Sequence, residues 1–300
     1  MDVTLDQWKA LISVVESGGY EKAAEALDKS QSSVTYAVQK LQSQLGVKAF
    51  EVKGRRAMLT PTGEFLYRRA RALVEEAAAT ERAARKLSAG WEAEIGIAVE
   101  VAFPTWLLLQ CLDRFGAESP QTRIEVIESV LGGTSEALLQ GQAALAITVM
   151  VPQGFLGDLL MPIRFLPAAH PDHPLHKLGR PVTMEDLRAQ RQLVIRESGL
   201  KRATKPRLEA AQRWTVSHMT TSIEAASRGY GYGWYPEYRI RDQIAAGTLK
   251  ALPLREGSES VAQLYLVFAD RDAAGPGTLR LAAIIREMAE AACVKERGRR

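Results

Sequence analysis

The sequence predicts an all-α N-terminal segment, then one long helix, then a larger domain of alternating strands and helices. Three observations predict this. Apolar residues recur at helical spacing through the first 45 positions and break at glycines. An unbroken helical pattern then runs from Pro61 to Ser88. After Gly90 the pattern changes to short strand-like runs separated by helices, as in parallel α/β sheets.

The chain has 300 residues, 46% hydrophobic and 25% charged, which is globular composition and more than one ordinary domain. No stretch has the apolar length to span a bilayer, and MDVTLDQWKA lacks a basic-then-apolar signal pattern, so a cytoplasmic protein with no membrane partner is expected. Cys111 and Cys293 lie far apart within apolar helical patterns and read as unpaired core thiols, with a redox role left open.

The net charge of +4 is too small to imply a nucleic-acid partner, but its distribution is informative. Residues 1–28 hold two lysines against six acidic residues, a net of −4. Residues 29–56 hold six basic residues against Glu51 alone, a net of +5. A basic cluster behind an acidic segment fits a face that meets phosphate, and equally a solvated charged face.

In the first helix Leu5, Trp8, Leu11, Ile12 and Val15 share one side and stop at Gly18-Gly19. A short second helix turns Ala23, Ala24 and Leu27 inward, and small alanines let another helix cross closely. Ser30 is the expected N-cap of a third helix that carries Val34, Val38, Leu41 and Leu45 on its apolar side and ends at Gly46. Its other side, Gln31, Ser32, Ser33, Thr35, Tyr36, Gln39 and Lys40, is polar and mostly uncharged. Short hydroxyls and amides can hydrogen-bond base edges in a major groove while flanking lysines hold phosphates. Periodicity alone divides this reading evenly with an ordinary solvated helix face.

The wording of the segment separates them. Ala23-Ala24-x-x-Leu27, Ser30-Gln31-Ser32-Ser33-Val34-Thr35, Leu41, Leu45-Gly46 and Phe50 resemble the helix-turn-helix of LysR-type transcription regulators. Arg55-Arg56-x-x-Leu59-Thr60-x-Thr62-Gly63 is similar to that family's wing and the start of its linker helix. The resemblance spans residues 5–66 with few gaps. The chain departs from the family at Thr35 and Tyr36, where Ser and Arg are usual, and at Gln42, where Glu is usual. The Arg common shortly after Phe50 is also missing.

The resemblance implies a winged helix-turn-helix over residues 1–60 that binds double-stranded DNA at a pseudo-palindromic operator. Gln31, Ser32, Thr35 and Tyr36 would contact base edges, with Ser33, Gln39 and Lys40 beside them, and Arg55 or Arg56 would reach the backbone or minor groove.

Residues 61–89 are the expected linker helix, with Thr60 as cap and Pro61 at the first helical position. Leu66, Ala70, Leu73, Ala77, Thr80, Ala84 and Leu87 fall at alternating spacings of four and three, a coiled-coil seam. The resemblance implies antiparallel pairing with a second copy, and from there a dimer or tetramer.

Residues 90–300 are the expected effector-binding domain. Strands are expected at Glu94–Glu100, Arg123–Glu128, Ala144–Val149, Leu193–Arg196, Trp214–Ser217 and Ala262–Ala269, and helices at Pro104–Ala117, Gly132–Gln140, Met184–Ala189, Thr221–Arg228 and Thr278–Ala292. One lobe would comprise residues 90–163 and 269–294, the other residues 164–268, joined near Met161–Pro167 and Ala262–Ala269. This arrangement is similar to periplasmic-binding-protein folds, in which a small molecule sits between the lobes at the C-terminal ends of strands. The glycines of Gly229-x-Gly231-x-Gly233 read as tight backbone turns at a strand, without Rossmann or Walker spacing.

The expected effector site comprises Glu100, Val101, Phe103, Ser129, Leu131, Thr148, Ser198, Thr220 and Trp234. A carboxylate at Glu100 with Phe103, Trp106 and Trp234 nearby points to a cationic or amine-bearing effector, since aromatic faces and carboxylates both favour positive charge. Glu100 at a solvated strand end with the aromatics in the core is the competing reading. His170, His173, His176 and Asp172 lie in a proline-held loop, so neither a metal nor a cofactor is expected. Cys111 and His218 lack a supporting motif for nucleophilic catalysis, so no enzyme activity is expected. Two rival functions stay open: a solute-binding or enzyme domain with a helical head, and a DNA binder with an occluded pocket.

Overall fold

The computed structural model describes residues 2–53, 56–199, 208, 210–255 and 260–297. The chain forms two compact units, Met1–Ala89 and Gly90–Arg300.

In the first unit α1 (Leu5–Ser17) starts with a capping box in which Thr4 and Gln7 exchange bonds, and stops at Gly18, which takes the left-handed φ of 76°. The short α2 (Tyr20–Ala26) buries Ala23 and Ala24. α3 (Gln31–Leu45) is capped by Ser30, whose side chain accepts from the Ser33 N–H. Its Val34 and Val38 pack with Ala10, Val14, Ala23 and Ala24. Leu45, expected inward, is 39% exposed, because it is the last residue of α3 and lies past the packed turns.

A two-stranded wing follows, β1 (Phe50–Lys53) against β2 (Arg56–Leu59). α4 (Pro61–Ser88) then runs 28 residues. Thr60 caps it, accepting from the Gly63 N–H at 2.9 Å and donating to the Lys48 carbonyl at 2.6 Å. The first turns of α4 join the core through Leu66, Tyr67 and Ala70, beside Leu11, Leu41 and Ala49.

The second unit is a mixed sheet with helices on its faces. In chain order come β3 (Glu94–Glu100), α5 (Thr105–Glu118), β4 (Arg123–Ser129), α6 (Gly132–Leu139), β5 (Leu145–Thr148) and β6 (Gly157–Ala169). Then come α7 (Met184–Arg188), β7 (Arg191–Ile195), β8 (Gln212–Val216), α8 (Met219–Ser227), β9 (Tyr232–Pro236), α9 (Arg241–Ala245), β10 (Lys250–Ala251), β11 (Ser260–Phe268) and α10 (Pro276–Arg297). The strand order is β4-β3-β5-β11-β6-β9-β7-β8, with β10 beside β6.

β4-β3-β5 and β9-β7-β8 are parallel sets, as the strand–helix alternation predicts. Between them β6 and β11 run antiparallel, with a register shift at Leu264/Tyr265. β6 leaves β11 after Phe165 and pairs onward with β9, while β11 passes from β6 to β5, so both strands cross between the halves. β10 and α9 are not foreseen from the sequence, since elements of two and five residues carry no resolvable period.

Each half has its own core. Ile97, Leu107, Phe115, Leu145, Leu266 and Ile285 centre the first lobe, where α10 returns. Leu193, Ala226 and Tyr235 form one cluster of the second lobe, and Leu187, Tyr232 and Leu252 another.

Candidate functional site: an outward polar helix face and an inter-lobe contact

Burying Val34, Val38 and Leu41 turns the opposite side of α3 outward. Gln31, Ser32, Ser33, Tyr36, Gln39 and Lys40 are exposed there, and Thr35 is half-buried. Tyr36 is the most conspicuous, at 64% exposure, with Lys40 Nζ 5.9 Å from its ring centroid. Ser30 Oγ lies 3.0 Å from Ser32 Oγ and 2.7 Å from Ser33 Oγ, which orders the hydroxyls of the first turn. Gln42 acts structurally. Its Oε1 accepts from the Ala49 N–H at 2.7 Å and the Phe50 N–H at 3.2 Å, fixing the entry to β1. Arg56 begins β2, and Arg55 lies outside the described residues.

In the second unit several of the residues expected around an effector gather where β3, β4 and β7 end. Glu100, the last residue of β3, is 2% exposed. Its Oε2 accepts from the Leu131 N–H at 2.8 Å. Burial pushes its carboxyl up to about 7; bonds from the Leu131 and Val101 N–H groups oppose the rise, and the nearby Glu197 charge adds to it. Ser129 pairs with Glu100 across the strands and its Oγ lies 2.7 Å from Thr134 Oγ1, both side chains buried. Val101 donates its N–H to the Ser129 carbonyl at 3.0 Å.

From the other lobe, Ser198 reaches the turn after β4. Its Oγ accepts from the Val130 N–H at 2.8 Å, and its N–H donates to the Val130 carbonyl at 3.2 Å. Beside it Glu197 Oε1 accepts from the Gly132 N–H at 3.0 Å. A second cross-lobe contact lies at Tyr238, whose hydroxyl donates to the Phe103 carbonyl at 2.9 Å, while Arg239 Nη2 donates to Thr105 Oγ1 at 2.7 Å.

Glu100, Val101, Ser129, Leu131 and Ser198 therefore converge, whereas other expected site residues do not. Phe103 is buried in the core of the first lobe. Trp234 packs edge-on against Tyr232, with centroids 5.6 Å apart, in a cluster with Met184 and Leu254. The aromatic cage around Glu100 is thus corrected: the packing of the first lobe and alternation along β9 send Phe103 and Trp234 into two separate cores, and Trp106 stands 48% exposed in the first turn of α5. Thr148 is fully buried and spends its hydroxyl on its own turn, donating to the Met150 carbonyl and accepting from the Met150 N–H. Thr220 is exposed in the first turn of α8.

Sequence reasoning passed over Glu197, Tyr238 and Arg239. Glu197 had a signal, as the neighbour of Ser198 just past a parallel strand at the change of strand order. Tyr238 and Arg239 had none, since they lie in a single 3-10 turn. In the histidine segment, His170 Nδ1 and His173 Nδ1 accept from the N–H groups of Asp172 and Leu175. Among the described residues no group of His, Cys, Asp and Glu side chains is arranged to hold a metal ion.

Comparison with known proteins agrees with both halves. Residues 5–64 match the bacterial regulatory helix-turn-helix proteins of the lysR family, and residues 88–290 match the LysR substrate binding domain. The chain is 30% identical over 259 residues to the uncharacterized HTH-type transcriptional regulator YeeY of Escherichia coli (strain K12), covering 83% of this chain and 82% of that one. It is 27% identical over 275 residues to the probable HTH-type transcriptional regulator YhaJ of the same strain, covering 90% and 91%. The crystal structure of full-length BenM shares the fold, with TM-score 0.51 and 21% identity, over 97% of this chain and 98% of that one. Full-length LysG of Corynebacterium glutamicum does so with TM-score 0.51 and 21% identity, over 96% of this chain and 98% of that one. A helix-turn-helix that turns polar side chains outward, followed by a two-lobed domain matched along most of its length, makes this chain a member of the LysR family of transcriptional regulators.

Proposed function

We propose that this regulator reads a pseudo-palindromic operator with α3 of two copies, paired through α4, and that a small molecule held between the lobes sets its activity. The observation carrying the DNA half is the outward face of α3, where amides, hydroxyls and Tyr36 stand over no core of their own. Gln31, Ser32, Thr35 and Tyr36 take the base edges; Ser33, Gln39, Lys40 and the wing arginines Arg55 and Arg56 support them. Its place of work is the cytoplasm, where the operator lies. Among the described residues no helix is long and apolar enough to cross a membrane.

Tyr36→Ala is expected to weaken binding to the operator by about tenfold, the 1–3 kcal/mol typical of a base contact, and to change binding to scrambled duplex little. Equal losses on both duplexes in a gel-shift titration would remove Tyr36 from base reading.

For the effector we propose a cation or amine seated against Glu100, Ser129, Leu131 and Ser198. Glu100 is dehydrated and lies near the Glu197 charge, so a positive ligand gains from Glu197 and favours release of the Glu100 proton. Calorimetric titration with polyamines and basic amino acids against aromatic carboxylates tests this; preferential binding of the carboxylates overturns it.

A further inference from the structure

The N-terminus of α6 is filled from two directions. Glu100, from the first lobe, takes the Leu131 N–H, and Glu197, from the second lobe, takes the Gly132 N–H one residue further on. These are amides that a helix N-terminus offers to anions. The Glu197 contact belongs to a fitted seam. Ser198 makes three bonds to the Val130 backbone, through its N–H and through its Oγ as acceptor and as donor. Two glycines let the backbones meet there. A Cβ on Gly133 would lie 2.1 Å from Ser198 Oγ and 3.0 Å from Ser198 Cβ. A Cβ on Gly199 would lie 2.9 Å from the Gly132 carbonyl carbon and 3.0 Å from the Gly133 nitrogen. Side chains at these positions would push the lobes apart, so the sequence suits the closed contact.

We infer that Glu197 is a tethered anion: with no small molecule present it occupies the Gly132 amide at the start of α6, holds the two lobes together and keeps free carboxylates out. A tethered group competes at an effective concentration on the order of millimolar, so a dilute carboxylate cannot displace it. Glu197 thereby determines the sign of charge that the cleft admits. The inference rests on the inter-lobe cleft being the effector site, and it does not require the effector to be a cation.

Hydrogen exchange of the Gly132 amide in the full-length ligand-free protein tests it, in sodium acetate against sodium chloride at equal ionic strength. In the wild type the amide is expected to exchange slowly, with no response to acetate. In Glu197→Ala it is expected to exchange about tenfold faster, as for a lost charge-assisted bond, and acetate is expected to slow it again. Glu197→Gln keeps an acceptor without the charge, and is expected to fall between the two.

Equal exchange in the wild type and both variants would overturn the inference. So would an acetate response in the wild type as large as in Glu197→Ala. If Glu197→Ala does not fold, Glu197→Gln and the wild-type acetate titration decide by the same criteria. A parallel titration of the wild type with methylammonium chloride separates the two readings: failure to bind defeats the cationic effector and leaves the tethered anion standing.

Discussion

Glu100 and Leu131 meet where β3 and β4 end: the Leu131 N–H lies 2.8 Å from Glu100 Oε2, and Leu131 adopts φ 52° and ψ −113° to put it there. The turn around it closes with the Gly133 N–H on the Val130 carbonyl at 3.4 Å. These angles are those of the first central residue of a type II′ turn, a place that favours glycine. A leucine there is strained by about 1–3 kcal/mol. The bond to a buried carboxyl is part of what offsets that cost.

Leu131→Gly is therefore expected to stabilise the protein by about 1 kcal/mol, the relieved strain exceeding the extra entropy of an unfolded glycine. The N–H stays, so the bond to Glu100 stays. Urea unfolding at unchanged slope measures the shift. A fall in midpoint would show that contacts of the half-buried leucine side chain outweigh its backbone strain.

The carboxyl itself gives a pH prediction. Burial raises Glu100 from an ordinary 4.5 to about 7. The folded state then holds this proton more tightly than the unfolded one between those values. Stability contributed by the neutral acid is whole below 4.5, declines as pH rises, and levels off above about 7. The difference corresponds to about 3 kcal/mol at most, at about 1.36 kcal/mol per tenfold. Glu100→Gln keeps an acceptor for the Leu131 N–H and cannot ionise, so its stability is expected to vary less between about pH 5 and 8. Parallel slopes for the wild type and the variant in urea unfolding across that range would refute the raised value.

Gly63, in the first turn of α4, makes a separate prediction for the DNA-binding unit. A Cβ at Gly63 would lie 2.0 Å from the Ala49 carbonyl oxygen and 2.8 Å from its carbon, both backbone atoms that cannot turn aside. Thr60 ties the same place down through its bonds to Gly63 and Lys48. Gly63→Ala is expected to cost about 2–3 kcal/mol through overpacking. Differential scanning calorimetry and operator binding would both register it; unchanged values in both would mean that α4 shifts freely against β1.

Much of this was legible in the sequence, unevenly. The helix-turn-helix announced itself through caps and short apolar stripes, because Ser30, Gly18 and Gly46 act within one turn of themselves. The strands and helices of the second unit were legible from alternation and length. The cleft was legible only in part. Glu100, Ser129, Leu131 and Ser198, which the structure brings together, could be picked from strand ends, a local signal, whereas Phe103 and Trp234 pack into cores instead. Whether a ring beside a strand end faces the cleft or a core depends on packing from the other side. Nothing local marks Glu197 against Gly132, since that pair spans 65 residues. Leu45 failed for a simpler reason: angular position on a helix says nothing of how far along it the neighbours extend.

The seam of α4 carries the last prediction. Leu66 and Ala70 pack into the core of their own unit, but the pattern continues where that core ends. Leu73 is 40% exposed, Ala77 is half-buried, and Thr80 and Ala84 are exposed. A stripe that keeps its four-and-three spacing beyond its own core fits a second helix. Placing a charge there should oppose pairing without touching the monomer core. Leu73→Lys is expected to shift the protein toward monomer in sedimentation velocity, and to weaken operator binding more than binding to a half-site. Arg68→Ala, at an exposed position off the seam, is expected to do neither. If Leu73→Lys sediments as the wild type does, α4 pairs by another face or the copies meet elsewhere. The pseudo-palindromic reading would then need a different two-fold contact.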